Sequence, residues 1–96
     1  MPTLFIFAEI TPKPAHVEQA RDAIMSIIKD TRAEPGCLSF ELFDNEAEGT
    51  LFLFEEWRSQ ADLDAHYAMP YTANVFSKYD NWLACPPVIR KMQKRA

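Results

Sequence analysis

An α+β fold of the ferredoxin-like βαββαβ type is predicted by three features of this sequence: the order of its apolar periodicities, the placement of its prolines, and strands that are apolar on both faces. Ninety-six residues make one domain, spanning 1–96, with no repeat, linker or low-complexity segment to divide it.

Residues 4–11 are rich in apolar side chains and stop at Pro12-Lys13-Pro14, where proline removes backbone donors, so they read as a first strand. Over residues 15–33 the apolar positions Val17, Ala20, Ile24, Ile27 and Ile28 follow helical spacing, with Glu18, Arg21, Asp22 and Lys29 on other faces. Pro35-Gly36 ends this amphipathic helix. Residues 37–44 and 50–57 are strand-like and are joined by the polar, glycine-ended segment 45–49, which suits a hairpin. Ser59 reads as an N-cap, with Asp62 three residues on and Leu63, His66 and Tyr67 on one helical face. Met69-Pro70 breaks that helix. A third helix follows over 71–83, with Val75, Phe76, Tyr79, Trp82 and Leu83 at helical spacing; Pro86-Pro87 ends it, and 88–93 form the closing strand.

Successive side chains of a strand point to opposite sides, so Leu51-Phe52-Leu53-Phe54 places apolar groups on both faces of the sheet. The first strand does the same, with Leu4, Ile6 and Ala8 on one side and Phe5 and Phe7 on the other. Helices of a βαββαβ unit cover one face only, and a large uncovered apolar face is rare on a soluble monomer. A second copy of the sheet is the expected lid, giving an isologous homodimer.

Net charge is −4, which gives no electrostatic reason to bind nucleic acid or an anionic membrane, so neither is expected as a partner. The basic run Arg90, Lys91, Lys94 and Arg95 reads as a solvated strand and tail. Cys37 and Cys85 lack any C-x-x-C or Cys/His spacing, so no disulfide scaffold or metal site is indicated, and both thiols are expected reduced and partly buried. No basic leader opens the chain, and a cytoplasmic location is expected.

Gly36 and Gly49 are the only glycines, which excludes glycine-rich phosphate loops. Of the two histidines, His16 at the start of the first helix reads as exposed or capping. His66 faces the core side of its helix, as either a packed core histidine or an acid/base group. Period two sets Glu55 and Trp57 on one face and Glu56 on the other, so one carboxyl of the pair points to a buried layer, as a base, an orienting partner or a rim group paired with Arg58. Tyr67, Tyr71 and Tyr79 bring hydroxyls to otherwise apolar faces.

The run Glu34-Pro35-Gly36-Cys37-Leu38, followed by Glu56-Trp57, Leu63, His66 and Pro70 at fixed spacing, resembles the antibiotic-biosynthesis-monooxygenase family, quinol-monooxygenase-like members included, over nearly the whole chain. That resemblance implies a dimeric α+β barrel with a pocket between each sheet and its helices. Within it, His66 would be catalytic, and Trp57, Tyr71, Phe76 and Tyr79 would form the substrate walls. Family monooxygenases oxidise small aromatic quinols or polyphenols with O2 and need no flavin, haem or metal, so no cofactor is expected. The haem-degrading branch uses an early asparagine and a late histidine, whereas here no asparagine precedes Asn45 and no histidine follows His66. Two other outcomes stay open: a small-molecule binding or stress-associated dimer without turnover, and an isomerase of a small diketone acting through an enolate.

Overall fold

The computed structural model describes residues 3–96; Met1 and Pro2, which open the segment read as lacking a leader, lie outside the described residues. Strand β1 (Leu4–Ile10) leads through a 3-10 turn (Pro14–His16) into α1 (Val17–Arg32), then the hairpin β2 (Cys37–Asn45) and β3 (Thr50–Trp57). Helices α2 (Gln60–Ala68) and α3 (Pro70–Trp82) precede β4 (Val88–Met92). The four strands form one antiparallel sheet in the order β2-β3-β1-β4.

Alternation sorts the two faces as expected. Ile6, Ala8 and Ile10 of β1 and Leu51, Leu53 and Trp57 of β3 point under the helices and are buried. Phe5, Phe7, Phe52 and Phe54 point the other way. From α1 the buried stripe is Ala20, Ile24, Ile27 and Thr31, at the four-and-three spacing of one helical face.

Proline acts at α3 differently from expectation. Pro70 does break the ladder after Ala68, but it is also the first residue of α3, where its missing N–H costs nothing. The inward face of α3 is Thr72, Val75 and Tyr79; Phe76 is on the flank and 36% exposed. Ser59 caps α2 as its sequence suggests, its hydroxyl accepting from the Asp62 N–H at 3.2 Å. Cys37 is half-buried, but Cys85 is exposed, contrary to the expectation that both would be partly buried, because the loop after α3 carries it outward. His16 lies beside Gln19, its ring within hydrogen-bond reach of that amide and without a capping bond to the helix.

Candidate active site

Glu34 sits just beyond α1, in the turn that Pro35 and Gly36 complete. It continues the buried stripe Ala20, Ile24, Ile27, Thr31 by one more step of three, so a carboxyl arrives where the core face would otherwise present an apolar group. A buried carboxyl at the negative end of a helix needs donors. Two reach the same oxygen: His66 from α2, whose Nδ1 is 2.9 Å from Glu34 Oε2, and the Tyr71 hydroxyl from the first turn of α3. Only 8% of Glu34 and 3% of His66 remain exposed, so this pair is shielded from solvent competition.

The carboxyl partner sets the histidine tautomer. A carboxylate can only accept, so opposite Glu34 the Nδ1 of His66 is the donor, and in the neutral form of the ring that leaves Nε2 as the acceptor. Trp57 packs against the imidazole with ring centroids 4.7 Å apart, and Phe40 and Tyr67 lie 5.7 Å from it. The ring is thereby held in place by aromatic neighbours as well as by its carboxyl.

His66 also borders a cavity between sheet and helices. Its floor is Ala8, Leu53 and Glu55 of the sheet; its helical wall is Ile24, Val75 and Tyr79, with Tyr67, Phe76 and Ile89 toward the outside. The volume open to the centre of a water molecule is about 30 Å³, room for a water or two as the side chains stand. The lining is apolar apart from His66, Glu55, Thr72 and the tyrosine hydroxyls.

Glu55 is 4% exposed, and one of its oxygens accepts from Trp57 Nε1 at 2.8 Å. Burial raises its pKa to about 7; the Trp57 hydrogen bond works against that rise and the nearby Glu34 adds to it. Burial also pushes Tyr67 up to about 12, and Tyr79 well above the usual phenol range. Tyr71 is raised likewise, by burial and then by its bond to Glu34.

The residues proposed from sequence therefore divide. His66, Phe76 and Tyr79 meet at the cavity. Trp57 does not line it: fully buried, it lies beneath the His66 ring and braces it, because the end of β3 passes under α2. Tyr71 does not line it either, since the start of α3 turns its hydroxyl onto Glu34. Glu34 was missed as a site residue, although the signal was present in an acid lying in register with the buried stripe of α1. Among the described residues, no three His, Cys, Asp or Glu side chains converge in a way that would hold a metal ion.

With this geometry in view, comparison with known proteins identifies the class. The sequence profile of the antibiotic biosynthesis monooxygenase family matches residues 3–77, and the chain belongs to that family. It is 34% identical over 88 residues to the uncharacterised protein sll1783 of Synechocystis, an alignment covering 91% of this chain and 60% of that longer protein. To the protein named "Putative monooxygenase Rv0793" of Mycobacterium tuberculosis it is 32% identical over 84 residues, covering 88% of this chain and 83% of that one. The Rv0793 structure superposes with a TM-score of 0.92 at 29% identity over 98% of this chain and 96% of its own. PA3566 of Pseudomonas aeruginosa gives 0.93 at 24% identity over 100% and 97%, a likeness of fold. Among the described residues, no helix is long and apolar enough to cross a membrane.

Proposed function

We propose that this chain is a cofactor-independent monooxygenase that oxidises a small, electron-rich aromatic of quinol type with O2, working as a homodimer in the cytoplasm. The observation that carries the reading is the buried Glu34–His66 pair beside an apolar cavity. Glu34 holds the Nδ1 proton, so His66 meets a substrate hydroxyl with a basic Nε2 and is stabilised by the same carboxyl once it becomes imidazolium. The resulting phenolate is rich enough in electrons to reduce O2 directly. For a hydroquinone the products are a hydroxyquinone and water: the substrate supplies four electrons, one oxygen atom enters the ring and the other leaves as water. An apolar enclosure keeps the intermediates from solvent. Phe76, already on the outer rim, is the side chain whose rotation would admit a ring.

Oxygen uptake with a panel of hydroquinones and hydroxyanthraquinones tests this. His66→Ala should reduce turnover roughly 100-fold or more, and Glu34→Gln about tenfold or more with the folded state retained. Absence of uptake on every substrate, or full activity in His66→Ala, would overturn the reading.

A second reading has one observation in its favour, the presence of two acid/base side chains, His66 and Glu55, on one cavity. Such a pair suits moving a proton within a small diketone through its enolate. It predicts deuterium exchange from solvent into the diketone without oxygen consumption.

A further inference from the structure

The hydrogen-bond network around His66 leaves out the one carboxyl that lines the cavity. Glu55 reaches the cavity from β3, on the sheet side, whereas His66 reaches it from α2, on the helix side. Its oxygens are not equivalent. One accepts from Trp57 Nε1, and the other bonds to no side chain among the described residues. Thr31 Oγ1 is the only fully enclosed side-chain polar atom without a partner among those residues, so the second Glu55 oxygen, like Nε2 of His66, is unpartnered but open to the cavity. Nothing about packing requires an acid here: Leu51 and Leu53 occupy the preceding inward positions of the same strand. A carboxyl in that setting is costly to bury unless something entering the cavity uses it.

We infer that Glu55 is the second proton-handling group of this site, presenting a carboxylic acid O–H from the sheet to an oxygen atom of a neutral aromatic ligand while His66 acts from the helices. The hydrogen-bonding half of this role stands on the cavity alone; the proton-transfer half rests on the oxygenase reading. In that reaction two protons leave the hydroquinone, one from a hydroxyl and one from the ring carbon that is oxygenated, and two are added to the atoms of O2. His66 takes the hydroxyl proton. Once O2 has bonded to the ring carbon, Glu55 gives its proton to the peroxide oxygen. Its carboxylate then takes the C–H proton as the O–O bond breaks, and the histidinium protonates the departing hydroxide to water. Both side chains finish as they began, so the cycle needs no outside acid.

Three of the other groups facing Glu55 keep one charge state over the range in which it is read. Cys37 from β2 is pushed up to about 11 by burial, Tyr67 from α2 to about 12, and Tyr79 from α3 higher still, so all three stay neutral near pH 7. Lys91 of β4, across Ile6 from Glu55, is bonded to Gln60 instead, at 3.0 Å. Glu34 and His66 remain, and are paired with each other.

The test compares 1-indanone, which carries one acceptor oxygen and no ionisable group, with indane, which lacks the oxygen. Affinity for indanone, relative to indane, should fall tenfold or more between about pH 5.5 and about pH 8.5 as Glu55 loses its proton. In Glu55→Gln, which keeps an acceptor for Trp57 and cannot titrate, the ratio should be flat. A flat ratio in the unmodified protein, a dependence that survives in Glu55→Gln, or no binding of either probe overturns the assignment. Should the variant fail to fold, the 13C carboxyl titration of Glu55 in the unmodified protein decides: indanone must move its midpoint upward, and an unmoved midpoint overturns the assignment. Oxygen uptake separates the two halves. If the unmodified protein oxidises no hydroquinone, the oxygenase reading falls while the indanone titration still decides Glu55. If it does, and Glu55→Gln turns over equally fast, the proton-transfer role is overturned.

Discussion

Glu55 ties stability to pH in a direction opposite to that of a carboxyl held in an ion pair. Its pKa stands at about 7 in the folded chain against an ordinary value of 4.5, so between those values the folded state holds a proton that the unfolded state has released. Stability from this group is therefore full below about pH 4.5 and is lost as pH rises toward 7, on the order of 3 kcal/mol. Urea unfolding followed from about pH 5 to about pH 8 should show this loss, and Glu55→Gln should remove most of it. Equal slopes in the two proteins would show that Glu55 is ionised throughout. What the sequence disclosed at this scale was direction rather than contact. Period two put Glu55 and Trp57 together on one face without saying which face is inward, and helical spacing turned His66 to the core side; in the fold all three are buried. That Trp57 lies beneath the imidazole, and that Tyr71 meets Glu34, depends on how α2 and α3 cross the sheet and on the α1–β2 turn, which bring together residues 32 and 37 positions apart. No local pattern encodes that meeting.

Gly36 shows how one short element holds the site in place. Its backbone is not left-handed, so conformational freedom is not what the turn requires; Gly49 alone among the described residues has a positive φ, +70°. What it requires is closeness: a Cβ at Gly36 would run into the Asp62 side chain. Asp62 cannot easily retreat, because Arg58 grips it with two hydrogen bonds of 2.9 Å and Ser59 donates a third at 2.8 Å. Gly36 O also accepts from the Arg58 N–H at 2.9 Å, so the turn that carries Glu34 and the N-terminus of the helix that carries His66 are fastened to each other. Gly36→Ala should cost about 1–3 kcal/mol in urea unfolding with an unchanged m-value. Combining it with Asp62→Ala should recover part of that loss, since removing the obstructing side chain lets the methyl fit. A purely additive double variant would place the strain elsewhere. Proline-glycine punctuation made the turn legible in sequence, but the reason for glycine appears only where two elements distant in sequence touch.

For the whole molecule, the decisive feature is the face of the sheet that no helix covers. Phe43 opposes Phe52 in the β2–β3 register and Phe7 opposes Phe54 between β1 and β3, so the aromatic rows run across three strands, with Phe5 and Phe54 6.0 Å apart and Phe7 and Phe52 5.7 Å apart. Acidic groups on this face are each answered within the chain: Thr3 donates to Glu56 at 2.7 Å, Arg32 lies 3.1 Å from Glu41, and Arg90 lies 3.9 Å from Glu9. The centre is thus left apolar, with Phe43 58% and Phe54 37% exposed in the single chain. Each large side chain taken from water contributes about 1.5–3 kcal/mol when fully buried, and two copies meeting face to face double the contribution, against association costs of about 4–15 kcal/mol. A dimer through this face is thereby expected, and Phe54 is its most sensitive point because it sits on the central strand pair. Phe54→Glu would set a new carboxylate beside Glu41 and Glu56 and, by symmetry, near its own copy, where burial would leave it unpaired. Sedimentation equilibrium at micromolar concentration should find the unmodified protein at twice its 11.1 kDa and Phe54→Glu at the single-chain mass. The cavity lies on the other side of the sheet, so the Glu34–His66 pair should survive in the monomer, and any loss of oxygen uptake there would measure how far the second copy stiffens the cavity floor. An unmodified protein that sediments as a single chain would remove the homodimer from the proposal and leave the aromatic rows without an occupant.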